Sequence, residues 1–159
     1  MQYVSTSGGD GGGCIFCEHL AKGDEVLYRG TTAFVLLNAF PYNTGHLMVA
    51  PQRHAGELGD LSEEERHELM DLSAESVRIV REAMAAHGFN VGMNLGDVAG
   101  AGIPGHLHMH VVPRWGGDTN FMTTVGETKV LPEMLADTAA KLKPLFDALG
   151  KGGLGRPPA

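Results

Sequence analysis

The sequence predicts an α+β domain in which a five-stranded, mainly antiparallel sheet accompanies one long central helix and a C-terminal helix. Three observations predict this class. Short β-prone segments recur along the chain, most of their connections have hairpin length, and a single long helical pattern separates the third strand from the fourth. This order of elements favours an antiparallel sheet covered by helices over a regular alternation of strand and helix.

Five strands are predicted from residue type and from the turns between them. The second is rich in β-formers, the third is preceded by the turn residues 41–45, and Pro51 ends it. The fifth follows a Gly-rich loop over residues 96–105. The predicted strands span residues 25–29, 32–38, 46–50, 89–95 and 106–112.

The central helix is predicted from a capping box, with Ser62 as N-cap and Glu65 as its partner. Apolar or small residues then recur at helical spacing until Gly88 interrupts them. These core positions are Leu69, Leu72, Ser76, Ile79, Val80 and Ala83. The charged positions, interpreted as a solvated face, are Arg66, Glu68, Glu75, Arg78, Arg81 and Glu82.

A last helix is predicted after Pro132, and Pro144 is expected to kink or restart it. Its apolar side is expected to contain Leu135, Leu142, Leu145 and Leu149. The Gly-rich segment 1–13 and the Gly- and Pro-rich segment 150–159 are predicted to be flexible tails, which leaves residues 14–149 as one domain.

Composition limits the classes of partner. A formal net charge of -7 argues against a nucleic-acid surface, although histidines, backbone amides and Arg114 could meet the charge of one small phosphorylated ligand. The sequence contains no apolar run of about 18 residues and no secretory leader, so we expect no membrane contact and a cytoplasmic location. Two cysteines are too few for a disulfide framework.

Residues 106–112 carry the most specific pattern in the chain. Strand geometry places His106, His108 and His110 on one face, with Leu107, Met109 and Val111 on the other. Imidazole can act as nucleophile, proton carrier or metal ligand, so three on one face indicate chemistry. The alternatives are an expression tag, which would be consecutive and terminal, and a hydrogen-bonded histidine beside a core strand.

Cys14 and Cys17 form a Cys-x-x-Cys pair. From the residues alone this is a redox pair, half of a zinc site, or two buried thiols. Since zinc takes four ligands and the chain has no further cysteine, a zinc site would need histidines or carboxylates as well.

The pattern of residues 106–112 resembles the signature of the histidine triad superfamily of nucleotide hydrolases and transferases at every position. Asn38, the Gly45-His46 turn, Asn94 and the Gly-rich loop extend the resemblance over residues 14–115. Residues 113–121 and 126–132 resemble bacterial members related to diadenosine tetraphosphate phosphorylases. The resemblance implies the histidine triad fold, a small nucleotide substrate and a homodimer or higher homo-oligomer.

The resemblance also implies a role for each site residue. His108 is the nucleophile that forms a nucleotidyl-histidine, His110 contacts phosphate or leaving-group oxygens, and His46 orders the imidazoles. The remaining nucleotide-binding residues are Asn38 at the ribose, Asn94 at the phosphate, the loop residues Gly100, Gly102 and Ile103, and the apolar Ile15, Phe16 or Phe34 at the base.

One departure from the family pattern concerns the loop before the triad. Many hydrolase members carry Gln and Ser or Thr there, whereas this chain has only apolar and glycine residues over 100–105. Backbone N–H groups are therefore expected to bind the phosphate. A phosphoramidase acting on nucleoside phosphoramidates, and a nucleotide-binding module with little turnover, are the alternatives to dinucleoside polyphosphate cleavage.

The resemblance further implies a structural zinc ion. Some superfamily members and the related galactose-phosphate uridylyltransferases bind zinc through a cysteine pair, a histidine after the third strand and the first triad histidine. In this chain those positions are Cys14, Cys17, His54 and His106. Zinc would then make His106 structural and leave His108 and His110 for the chemistry.

Overall fold

The computed structural model describes residues 13–23, 25–119 and 133–152, and within them the centre of the fold is a five-stranded antiparallel sheet. Its spatial order is β1-β2-β3-β5-β4, so the fifth strand lies between the third and the fourth. The strands are β1 (Val26–Arg29), β2 (Ala33–Leu37), β3 (Leu47–Pro51), β4 (Gly88–Met93) and β5 (Met109–Arg114). The predicted fold class is confirmed.

Three helices accompany the sheet in the described part of the chain: α1 (Ile15–Lys22), α2 (Glu63–Met84) and α3 (Leu135–Gly152). The prediction omitted α1, because eight residues are too few for a helical period to stand out. It ends at Gly23, whose φ of 79° is the left-handed conformation that glycine adopts at little cost.

The start of α2 is as predicted. The Glu65 N–H donates to Ser62 Oγ over 3.2 Å, and the Ser62 N–H donates to Glu65 Oε2 over 2.8 Å. The helix ends at Ala85, whose φ is 50°, and Gly88 opens β4. Most of the predicted core positions are buried, but Ala83 is exposed.

One of the predicted apolar positions in α3 is wrong. Leu142, Phe146 and Leu149 are buried, whereas Leu145 is 37% exposed, because the buried positions advance by four and then three residues. The helix runs through Pro144 without interruption. It also includes residues 150–152 of the predicted C-terminal tail; the rest of both predicted tails, apart from Gly13, lies outside the described residues.

The inner strands β2 and β3 are covered on both faces, by different elements, whereas the edge strand β4 is partly exposed. On one face α2 and α3 cover the larger core, which includes Val35, Leu37 and Val49. On the other, Phe16 of α1 packs with Phe34 and Leu36 of β2. Because successive side chains of β2 alternate between these two cores, the strand is buried along its whole length. None of the described helices is long and apolar enough to cross a membrane.

Candidate active site and metal centre

The three histidines of residues 106–110 lie on the α1 face of the sheet. Backbone pairing begins only at Met109, but the alternation of side chains starts earlier: Leu107, Met109 and Val111 belong to the larger core. His106 is fully buried and His108 is 5% exposed. The predicted division into an apolar face and an imidazole face therefore exists, although the imidazole face is itself mostly covered.

His108 has its ring orientation set by a backbone carbonyl. Its Nδ1 lies 2.9 Å from the carbonyl oxygen of His106. Since a carbonyl only accepts, Nδ1 carries the proton and Nε2 carries the free lone pair. Burial lowers the pKa of His108 below its usual value, against the opposing effect of that hydrogen bond. The Phe16 ring packs on the imidazole, with centroids 4.8 Å apart.

His110 is hydrogen-bonded to His46, which directly precedes β3. His46 Nε2 lies 2.9 Å from His110 Nδ1, and the Tyr42 N–H donates to His46 Nδ1 over 3.0 Å. The backbone donor makes Nδ1 of His46 an acceptor, so its Nε2–H donates to His110 and the proton of neutral His110 lies on Nε2. Burial, and then the nearby His108, lower the pKa of His110 to about 4.

A groove of about 230 Å³ borders His110. Tyr42 lines it as well, and the Tyr42 ring stacks on the His110 ring at a centroid distance of 5.8 Å. Asn94 is part of the same lining. The groove therefore brings three residues from three different parts of the chain to one surface.

The two asparagines take part in internal hydrogen bonds. Asn38 is 9% exposed; its Oδ1 accepts from the Phe40 N–H, and its Nδ2 lies 3.3 Å from His46 Nδ1. Asn94 Nδ2 donates to the Gly100 carbonyl over 3.2 Å and so closes the Gly-rich loop. The ribose contact of Asn38 and the phosphate contact of Asn94 stay predictions.

The Gly-rich loop lies between β4 and the triad. Gly96 and Gly100 have φ values of 77° and 87°, which a side chain would strain, and Gly102 is exposed. Ile103 packs against the core beneath α1, and its carbonyl accepts from the His106 N–H. The loop is thus tied directly to the first triad histidine.

Two of the apolar candidates for a base contact are core residues. Phe16 and Phe34 are 1% and 0% exposed, whereas Ile15 is 41% exposed. Arg114, considered as a phosphate partner, is engaged within the protein instead. Its Nε and Nη2 donate to the two carboxylate oxygens of Asp118 over 2.6 and 2.9 Å.

Four potential metal ligands meet beside the histidine row: Cys14, Cys17, His54 and His106. Their ligand atoms all lie within 4.8 Å of one another. Residues from the start of α1, from the loop after β3 and from the segment that leads into β5 thus converge although their positions span 92 residues. These are the four residues that the family resemblance implied.

The chemistry of this cluster suits zinc. His106 Nε2 lies 2.9 Å from the Pro51 carbonyl, which places the ring proton on Nε2. Nδ1 therefore carries a lone pair that a metal could use, and it lies 3.1 Å from Cys14 Sγ. Cys17 Sγ lies 3.7 Å from His54 Nδ1. Burial, followed by the neighbouring Cys14, raises the pKa of the Cys17 thiol, so a metal must displace a proton there.

Sequence reasoning missed three residues that shape the site. Tyr42 donates to His46 and lines the groove, Asn43 connects the same turn to β5, and Asp118 binds both Asn43 and Arg114. The turn composition of residues 41–45 was a signal for the turn itself. Nothing in the local sequence indicated which side chains the turn would contact.

The chain is similar in sequence to known proteins. A family model described as HIT domain matches residues 20–117. The AP-4-A phosphorylase of Mycobacterium tuberculosis is 50% identical over 113 residues, which cover 71% of this chain and 58% of that protein. The asymmetrical bis(5'-nucleosyl)-tetraphosphatase of Schizosaccharomyces pombe is 32% identical over 92 residues, covering 58% of this chain and 50% of the relative.

A solved structure is similar over most of its length. The Zn-bound histidine triad family protein from Mycobacterium smegmatis superposes with a TM-score of 0.70 at 25% identity, covering 87% of this chain and 96% of that one. By contrast, the chain spans only 58% and 50% of the length of the two curated relatives.

Proposed function

Because this chain belongs to the HIT domain family, we propose that it cleaves dinucleoside polyphosphates at the α-phosphate through a covalent nucleotidyl-histidine on His108. The observation that carries the proposal is the Nδ1 of His108 bound to the His106 carbonyl, which leaves Nε2 as a neutral nucleophile. Diadenosine tetraphosphate is the proposed substrate and orthophosphate the acceptor, since a 50% identical relative is an AP-4-A phosphorylase.

The first step forms the bond between His108 Nε2 and the α-phosphorus and breaks the bond from that phosphorus to the bridging oxygen. The polyphosphate half leaves as ATP. Positive charge on the His108 ring is stabilised by the carbonyl that accepts from its Nδ1–H. His110, with its proton on Nε2, donates to an oxygen of the reacting phosphate.

The second step restores the histidine. An orthophosphate oxygen attacks the phosphorus of the nucleotidyl-histidine, the P–N bond breaks, and ADP leaves. Water in place of orthophosphate would release AMP. Amides of the Gly100–Gly105 loop are the proposed donors to the phosphate oxygens, since the loop lacks hydroxyl and amide side chains.

The metal centre is proposed to hold one zinc ion through Cys14, Cys17, His54 and His106. When bound, zinc would link the two cysteines to the two histidines and stabilise both cysteines as thiolates that balance its charge. It would not take part in the reaction. His106 would then orient the backbone that continues into His108. Phe16 of α1 packs against the imidazole rings of His106 and His108. The homodimer and the cytoplasmic location stay predictions.

The test of the function is product analysis with a matched pair of variants. Diadenosine tetraphosphate is incubated with the protein, with and without orthophosphate, and an adenosine phosphoramidate is run in parallel. We expect ADP and ATP only when orthophosphate is present, and no product from His108→Ala. His67→Ala, an exposed histidine on α2, is the control and should retain full activity.

Each other result has a defined meaning. AMP and ATP as products would identify a hydrolase. Turnover of the phosphoramidate alone would identify a phosphoramidase, and no turnover of any substrate would identify a binding module. Trapping of labelled nucleotide by His108→Ala would refute His108 as the nucleophile. For zinc, metal analysis of protein purified without chelator should give about one zinc per chain, and Cys17→Ser should lose most of it while His67→Ala keeps it.

A further inference from the structure

The turn between β2 and β3, residues 41–46, carries two of the groups that surround His110. Tyr42 lies against both His46 and His110, with ring centroids 4.8 and 5.8 Å away. The His46 N–H donates to the carbonyl of Asn43, which closes the turn. The position of the Tyr42 N–H relative to His46 Nδ1 therefore depends on how this turn is held.

The turn is held from the far end of β5 by one side chain. Asn43 Nδ2 donates to the Pro113 carbonyl over 3.1 Å and to Asp118 Oδ2 over 2.9 Å. These partners lie 70 and 75 residues further along the chain. The amide group thus connects the turn to the loop after β5.

Asp118 is a fixed acceptor for this amide. Its carboxylate takes two hydrogen bonds from the Arg114 guanidinium and one from the Trp115 N–H, and its side chain is 13% exposed. The bond to Arg114 is the main reason that the pKa of Asp118 lies well below its usual range. Arg114 is in turn bound to Asn90 of β4, so the carboxylate has little freedom to move.

We propose that Asp118 is a positioning residue, which acts through Asn43 to hold the turn in the one arrangement that fixes the tautomers of His46 and His110. The proposal rests on the proposed function only for its effect on turnover. Its structural part concerns the free protein.

The tautomers follow from a chain of donors and acceptors. Tyr42 N–H donates to His46 Nδ1, His46 Nε2–H donates to His110 Nδ1, and His110 presents its Nε2–H. Asn38 Nδ2 also faces His46 Nδ1, at the longer distance of 3.3 Å. A displacement of the turn by about 1 Å would break the 3.0 Å backbone bond.

Without the Tyr42 N–H, an amide that remains beside His46 is Asn38 Nδ2, which lies 3.3 Å from Nδ1 and 3.5 Å from Nε2 and so selects neither nitrogen as the acceptor. His46 can then carry its proton on Nδ1, its Nε2 becomes an acceptor, and His110 donates from Nδ1. His110 Nε2 would then bear a lone pair instead of the proton that the phosphate oxygen needs. Turnover would fall while the fold, and binding groups elsewhere in the site, remain.

The experiment reads the tautomers directly. Long-range ¹H–¹⁵N spectra of the histidine rings are recorded at neutral pH on the free protein, as wild type, Asn43→Ala and Asp118→Asn. Asn43→Ala keeps the Arg114 ion pair and so remains informative if Asp118→Asn fails to fold. Glu82→Gln, which alters an exposed ion pair with Arg78 on α2, is the control.

We expect His46 and His110 of the wild type and of Glu82→Gln to be protonated on Nε2 alone. Both test variants should show a population protonated on Nδ1, and kcat should fall at least about tenfold while KM changes less than about threefold. A folded Asn43→Ala protein with unchanged tautomers would overturn the proposal. Because the spectra need no substrate, this result is independent of whether the proposed reaction occurs.

Discussion

Replacing Glu68 with glutamine is expected to lower the free energy of unfolding by about 2 kcal/mol, although Glu68 lies on a helix position that the sequence marks as solvated. The side chain reaches from α2 to the turn between β1 and β2. Its Oε1 accepts from the Thr31 N–H, and its Oε2 accepts from the N–H and hydroxyl of Thr32 and the N–H of Ala33. One carboxylate thus satisfies four donors.

The magnitude follows from what glutamine can replace. Its oxygen can face the three donors at Oε2, but its NH₂ group would then oppose the Thr31 N–H. The variant loses one charge-assisted bond, worth roughly 1.5 to 3 kcal/mol, and weakens the other three. Since Glu68 is partly exposed, water compensates some of this loss, and we take about 2 kcal/mol as the net cost.

The assay is chemical denaturation at neutral pH, with thermal unfolding as a second probe. A loss of about 2 kcal/mol corresponds to a decrease in Tm of about 6 °C for a domain of this length. The control is Glu82→Gln on the same helix, whose carboxylate is 70% exposed and pairs with Arg78. We expect less than about 0.5 kcal/mol from the control.

The pH dependence gives a second test of the same reasoning. Burial raises the pKa of Glu68, but the hydrogen bonds from Thr32, Thr31 and Ala33 outweigh it and the net pKa lies below the usual 4.5. The ionised group therefore stabilises the protein above that value, and its contribution is lost as the pH falls through the folded-state pKa. A difference between wild type and variant below 0.5 kcal/mol, or one that does not narrow in acid, would refute the reasoning.

Two further predictions concern the site. Gly45→Ala should lose about 1 to 2 kcal/mol of stability, because the φ of Gly45 is 78° and the added Cβ would lie 2.7 Å from Met84 Sδ. Gly59→Ala is the control, since its added Cβ meets nothing within 4 Å. Equal urea midpoints for the two variants would contradict the prediction. The His110 ring should titrate by NMR with a pKa near 4, because burial disfavours its charged form, so that it stays neutral as the pH falls from 7 to about 5. A midpoint near 6.5 would show that the ring is not desolvated.

Much of the fold was predictable because local rules decide it. The capping box at Ser62 fixed the start of α2, and the period of two over residues 106–111 separated the imidazoles from the core. The helix α1 was missed because eight residues give a weak period. Leu145 was misassigned because it and the neighbouring Phe146 both fit helical spacing between Leu142 and Leu149, and only Phe146 is buried.

The resemblance predicted the members of the four-residue Cys/His cluster, but the sequence did not predict how the side chains around the site are connected. The family resemblance identified the four cluster residues, and the structure brings them together. Neither the resemblance nor the sequence indicated that Arg114 is bound by Asp118, or that Glu68 is bound by the segment that opens β2. Such pairings join side chains from separate elements, and the sequence pattern of one element carries no information about its partner's position.

The sequence by itself determined which residues face which way, because alternation and helical periodicity are properties of the chain's covalent geometry. It therefore determined that His106, His108 and His110 share the face opposite the larger core. Only the tertiary structure decided which nitrogen of each ring carries the proton. That choice depends on the Pro51 and His106 carbonyls and the Tyr42 N–H, whose positions relative to the rings are set by folding.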